Sequence, residues 1–233
     1  MVLPIAGASE GATVSYSYNG PATTLTATFS STAYIHNVSV YNVKDIPTKN
    51  ENGYFEIASG DASGFILALQ SAKDGDKIFL PNGTYDFGET VLTTISVNNL
   101  SIIGESMDKT IIRNAPDKST ESINATATLL NTSNNLYMQD LTIQNDLDYY
   151  AIGGTGRAVA FQDRGANTIL KNVKMLSYQD TYYSNNSNNT YFENCEVHGC
   201  VDYLCGDGNV IYNRCKFVNE SRTKGKKSGS DIL

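Results

Sequence analysis

A degenerate repeat in the second half of the chain limits the fold more than any other feature. From residue 99 a unit recurs in which an asparagine opens an apolar alternation, a second Asn or Asp interrupts it, and the alternation resumes. The copies are NLSIIG from Asn99, NLYMQDLTI from Asn135, NTILKNVKM from Asn167, NTYFENCEV from Asn189 and NVIYNRCKF from Asn209. The last three begin 22 and 20 residues apart (189 minus 167, 209 minus 189). A period in that range marks stacked solenoid coils, each unable to bury its own apolar face until a neighbour covers it. The sequence therefore predicts an all-β parallel β-helix. In such a stack equivalent inward residues form ladders, and Leu141, Val173, Cys195 and Cys215 hold the same place in the unit. That makes the two cysteines buried core thiols, since free cysteine is among the most buried residue types. The asparagines suit turns, because a short amide satisfies local backbone and tolerates left-handed conformations. The Asn-x-Ser/Thr matches at Asn82 and Asn124 follow from that composition and need no glycan.

Upstream the pattern differs. Residues 1–50 alternate weakly and read as a small β appendage to a β-helix domain over 51–233. Asp61 can cap a short helix with Phe65, Ile66, Leu69 and Ala72 at helical spacing, and Gly75 can end it. It is the only helix expected. KIFLPNGTYDF, from Lys77, reads as two short strands around an Asn-Gly turn. Trp is absent, and 17 Lys and Arg face 24 Asp and Glu, a net charge of −7 that disfavours nucleic acid as a partner. The first residues lack a basic segment followed by a long apolar one, and no apolar run approaches the roughly 18 residues of a membrane span. A soluble form without an uncleaved export signal is expected. The four cysteines, Cys195, Cys200, Cys205 and Cys215, include no CxxC, and His36 and His198 complete no zinc pattern, so no metal site is expected.

The repeat also arranges chemistry. Asp180 in SYQDTYY and Asp202 in GCVDYLCG are 22 residues apart, as are Arg157 and Gln179 (202 minus 180, 179 minus 157). At one coil period, the two carboxylates stand on the same face of adjacent coils, about 4.8 Å apart at the backbone. Like charges so close resist joint ionisation, so one carboxyl should keep its proton near neutral pH while the other is ionised. An acid, a nucleophile or base, and nearby donors from Gln179 and Arg157 are then available for an oxyanion. On spacing alone, turn-forming or solvated aspartates remain the alternative.

The stretch from Gly156 to Phe217, with YQDTYY followed by GCVDYLCG in the right order and separation, resembles the pectin methylesterase family. Weaker similarity reaches back through the helix, LPNGTY and LSIIGESMDKTII, so roughly residues 55 to 220 fit. The resemblance implies a right-handed single-stranded parallel β-helix and a cofactor-free esterase that removes methyl groups from the galacturonate of pectin. It implies Asp202 as nucleophile, Asp180 as general acid and then base, Gln179 as oxyanion donor, and Tyr183 as a sugar contact. It also implies a secreted or periplasmic protein. Three departures stand out: Arg157 replaces a usual Gln, Cys205 replaces an aromatic, and the later GRPW-like segment with an Arg and a Trp is not found before the basic tail SRTKGKKSGSDIL. The last departure gives the expectation of a chain lacking its final coils. A calcium-dependent polysaccharide lyase, with Arg157 as base, and a non-catalytic polysaccharide-binding β-helix are the competing expectations.

Overall fold

The computed structural model describes residues 46–152, 155–185 and 188–224. The first elements are β1 (Tyr54–Glu56), helix α1 (Ala62–Ser71), β2 (Lys77–Leu80), β3 (Gly83–Asp86), β4 (Thr93–Ile95), β5 (Ser101–Gly104), β6 (Thr110–Asn114), β7 (Leu129–Asn131) and β8 (Tyr137–Asn145). There follow the single-turn helix α2 (Tyr149–Ile152), β9 (Phe161–Asp163), β10 (Thr168–Leu176), β11 (Tyr182–Ser184), β12 (Asn189–Glu193), β13 (Glu196–Gly199), β14 (Leu204–Gly206), β15 (Asn209–Asn213) and β16 (Lys216–Asn219).

The strands stack into three parallel faces. One runs β1-β2-β5-β8-β10-β12-β15, and another runs β4-β7-β9-β11-β14. The third arises because β8 and β10 bend: their first halves pair with β5 and β12, their second halves with β6 and β13. The bends fall at Asp140 and Asn172, both left-handed (φ 56 and 49). Asp and Asn tolerate that conformation better than other side-chain-bearing residues. A β-helix is the result, as the repeat predicts.

Register makes the core. Phe55, Ile78, Ile102, Met138, Leu170, Phe192 and Tyr212 form one continuous ladder, each in register with the next coil. Tyr85, Ile112, Ile143, Met175, Val197 and Phe217 form a second, and Leu129, Phe161, Tyr182 and Leu204 a third. The expected ladder through Leu141, Val173, Cys195 and Cys215 is present: Leu141 and Val173 are in register, and the Val173 N–H meets Cys195 Sγ at 3.4 Å. Cys215 is half-buried against the same core. All four cysteines are free thiols, Cys195 and Cys200 buried and the other two partly so. Burial pushes the Cys195 thiol up to about 12. At the outer corner the asparagines bond coil to coil: Asn99 donates to Asp74 (2.7 Å), Asn135 to Asn99 (2.8 Å) and Asn167 to Asn135 (3.2 Å).

Helix α1 lies where the sequence puts it, with the Asp61 carboxylate accepting from the Gly64 N–H at 2.9 Å. It lays Phe65 against the rings of Tyr85 and Phe87 at the first coils. Gly75 (φ +79) sits in the turn after the helix instead of ending it, and α2 is a second helix that the periodicity does not signal. The strands around Asn82-Gly83 exist but do not pair with each other. Each joins a different face, β2 with β5 and β3 with β6, because the turn is a coil corner. The expected appendage over residues 1–50 lies outside the described residues except for 46–50, where Lys49 bridges antiparallel to Phe55.

Inward and outward positions of the same face should differ sharply. Phe192→Ala is expected to lower unfolding stability by about 3–5 kcal/mol, whereas Ile169→Ser, on the outward side, should change it by less than about 0.5 kcal/mol. Urea denaturation of both variants checks this.

Candidate functional site

Three successive coils bring their side chains together. Parallel bridges join Arg157 to Gln179 and Gln179 to Val201, and the Asp180 N–H donates to the Val201 carbonyl at 3.1 Å. Asp180 and Asp202, each one residue past this line, therefore hold equivalent positions in adjacent coils, as their separation of one coil predicts. Both are left-handed, with φ 57 and 42. Side-chain-bearing residues in sparsely populated backbone regions persist only where the surrounding structure enforces them. Here the enforcement is the hydrogen-bonded register on either side. Arg157, Gln179, Asp180 and Asp202 line an open groove of ≈ 620 Å³, together with Ile123, Thr155, Leu204 and Cys205.

The two carboxylates of the groove differ from the other buried acid. Asp163 is fully buried and satisfied, accepting from Asn131 (2.8 Å), Thr190 (2.9 Å) and the Gly165 N–H (3.1 Å). Buried polar groups with complete partners are structural. Asp180 is only 3% exposed, yet none of the side-chain or backbone donors among the described residues reaches its carboxyl. Burial first, and the Asp202 charge second, push it up to about 7, with Glu121 adding to the effect and Arg157 opposing it. Two adjacent carboxyls with one pushed up to neutrality give a proton donor beside an anion.

The remaining groove residues are held by specific contacts. Gln179 Oε1 accepts from the Gly156 N–H at 3.0 Å, which leaves the amide NH₂ as the free end of that side chain. Gly156 has to be glycine, since a Cβ there would lie 2.6 Å from the Tyr149 ring, itself stacked on Tyr178 at 5.3 Å. Arg157 is not a loose cation, because Glu121 accepts from its Nε at 2.6 Å. Tyr183 lies in register with Cys205 but packs against the satellite cluster of Leu92, Leu130 and Val159, beside the groove and not lining it. Cys205 does line it, and burial pushes its thiol up to about 12, with the charges of Asp180 and Asp202 reinforcing the shift.

The family model for pectinesterases matches residues 58–229. This chain belongs to the pectinesterase family. It is 29% identical over 177 residues to pectinesterase 3 of Solanum lycopersicum, covering 73% of this chain and 31% of that one. To pectinesterase 1 of Citrus sinensis it is 31% identical, covering 73% and 29%. Among solved structures it is similar to the pectin methylesterase of Yersinia enterocolitica (TM-score 0.61, 28% identity, 73% of this chain and 57% of that). PemA of Erwinia chrysanthemi gives 0.60 and 27%, covering 77% and 55%. The chain thus spans about a third of the length of the plant relatives it matches. The pectinesterase fold is the right-handed parallel β-helix, and no helix among the described residues is long and apolar enough to cross a membrane.

Ile123 and Thr155, which line the groove, and Glu121, which holds Arg157, are residues that sequence reasoning misses. They belong to the stretches between β6 and β7 and between β8 and Arg157, ahead of the point where the 22-residue spacing begins. The only signal for Glu121 is its opposite charge to Arg157.

Because Asp180 titrates near 7 when folded and near 3.8 otherwise, the fold favours its neutral form. That preference is fully present below pH 3.8 and is lost as pH rises through 7, so ionised Asp180 destabilises the fold. Asp180→Asn is therefore expected to be more stable than the parent at pH 8, with the gap closing below about pH 4. Denaturation midpoints at the two pH values test this.

Proposed function

We propose that this protein is a cofactor-free carbohydrate esterase that hydrolyses methyl esters of galacturonate in pectin through an aspartyl acyl-enzyme. The observation that carries the reading is the pair Asp180 and Asp202, in equivalent left-handed positions of adjacent coils with the Gln179 amide beside them. The Asp202 carboxylate attacks the ester carbonyl, whose π electrons move onto oxygen. The Gln179 NH₂ donates to that oxyanion. Collapse breaks the bond to methoxide, which takes the Asp180 proton and leaves as methanol. Asp180, now a carboxylate, removes a proton from water, and the hydroxide attacks the acyl carbon, releasing the acid product and restoring both aspartates. Arg157 and Tyr183, at and beside the groove, are the proposed substrate contacts.

Pectin methylesterases similar to this chain have been solved in complex with hexasaccharides, which supports an extended uronate polymer as substrate. A substrate of that kind supports a secreted or periplasmic protein acting in cell-wall modification. The lyase alternative needs an arginine base on this face. Arg157, the residue available for it, is engaged by Glu121.

Methanol release from highly esterified pectin tests the assignment. Asp202→Asn is expected to abolish it and Gln179→Ala to lower kcat about 100 to 1,000-fold. Absence of methanol from the parent chain, with the polymer still bound, would leave a polysaccharide-binding β-helix as the better account.

A further inference from the structure

Arg157 stands on the register line of Gln179, one coil before the acid pair, with two carboxylates in its neighbourhood, Asp180 and Glu121. The structure shows which one it takes. Nε donates to Glu121 Oε1 at 2.6 Å, Nη2 donates to Oε2 at 3.3 Å, and the Arg157 backbone N–H donates to Oε1 at 3.0 Å. Three bonds onto one carboxylate, from a glutamate side chain only 15% exposed, form a clamp unlike an isolated surface pair. Among the described residues no ion pair joins Arg157 to Asp180.

We propose that Glu121 is a positioning residue for the ester hydrolysis: it engages the guanidinium that would otherwise pair with Asp180, and so keeps the Asp180 carboxyl available as the proton donor. The inference rests on the reading of Asp180 as the acid. It also explains how an arginine can occupy the groove without disabling that acid. A guanidinium free to turn toward Asp180 would hold it as a carboxylate, since an opposite charge within about 4–6 Å depresses a carboxyl by about 1 to 3 pH units. The charged and titratable groups facing Asp180 are Asp202 from the next coil, Arg157 from the preceding coil, Glu121 from the loop of the coil before that, and Tyr183 and Cys205 from β11 and β14. Of these, Arg157 is the group that can change partners, and Glu121 is what holds it.

The test compares the 233-residue chain with Glu121→Gln, Arg157→Gln and the double variant. Two readouts are taken: the pH dependence of kcat/KM for methanol release, and the ¹³C titration of the Asp180 carboxyl, assigned by its loss in Asp180→Asn. Glu121→Gln is expected to move the Asp180 midpoint, and with it the basic limb of the profile, about one pH unit lower. Adding Arg157→Gln should bring both back. Arg157→Gln alone should move the midpoint upward, which supplies an independent reading if Glu121→Gln fails to fold. An unchanged midpoint in Glu121→Gln, or a shift that Arg157→Gln does not reverse, would overturn the proposal and leave Glu121 a structural residue of its loop. If the parent releases no methanol, the esterase reading fails, while the titration still decides whether Glu121 restrains Arg157.

Discussion

Parallel register between neighbouring coils is the constraint on which everything else here depends. Side chains alternate inward and outward with a period of two, so a slip of one residue between coils would turn a whole inward ladder to solvent. The ladder from Phe55 to Tyr212 holds that register through seven coils. It is fixed by buried apolar residues inside and by amide-to-amide bonds at the corner outside. The site inherits it: Asp180 and Asp202 are neighbours because Leu170 and Phe192, and Tyr182 and Leu204, are neighbours.

The site places opposite demands on the same framework. Asp163, the fully buried aspartate of β9, is satisfied by Asn131, Thr190 and the Gly165 amide. At Asp180 the fold buries a carboxyl that no donor among the described residues reaches, and it sets a second carboxyl beside it. That arrangement costs stability as the pH rises and keeps a proton on one carboxyl beside the other. Glu121 and Arg157 offset each other's charge at the edge of the pair, so that the field at Asp180 is set mainly by burial and Asp202.

What the sequence reveals follows from where it is periodic. The coils starting at Asn167, Asn189 and Asn209 carry little between their strands, so the spacing of 22 places Asp180 beside Asp202 and Arg157 on the line of Gln179 without any structure. The earlier copies are farther apart, 36 and 32 residues (135 minus 99, 167 minus 135), because long loops interrupt them. Those loops supply Glu121, Ile123 and Thr155. A loop side chain meets the groove through the path of its own backbone, which no periodicity encodes, so Ile123 and Thr155 in the groove wall are not readable. The same limit explains Arg157: its position follows from spacing, but its partner lies in a loop 36 residues upstream. Tyr183 sits on β11, and the motif does not say that it packs against the cluster of Leu92, Ala127, Leu130 and Val159 beside the groove.

The one-coil separation of Asp180 and Asp202 also bears on assembly. Active sites commonly draw their groups from distant parts of a chain and exist only once most of the fold does. Here the stretch from Arg157 to Cys205 holds the acid pair, the amide and the guanidinium on successive coils whose equivalent positions are 22 residues apart. A growing chain can therefore bring the acid pair and the amide together as soon as the coils of Gln179 and Asp202 have stacked, with Arg157 and its partner Glu121 already made on the coils before them.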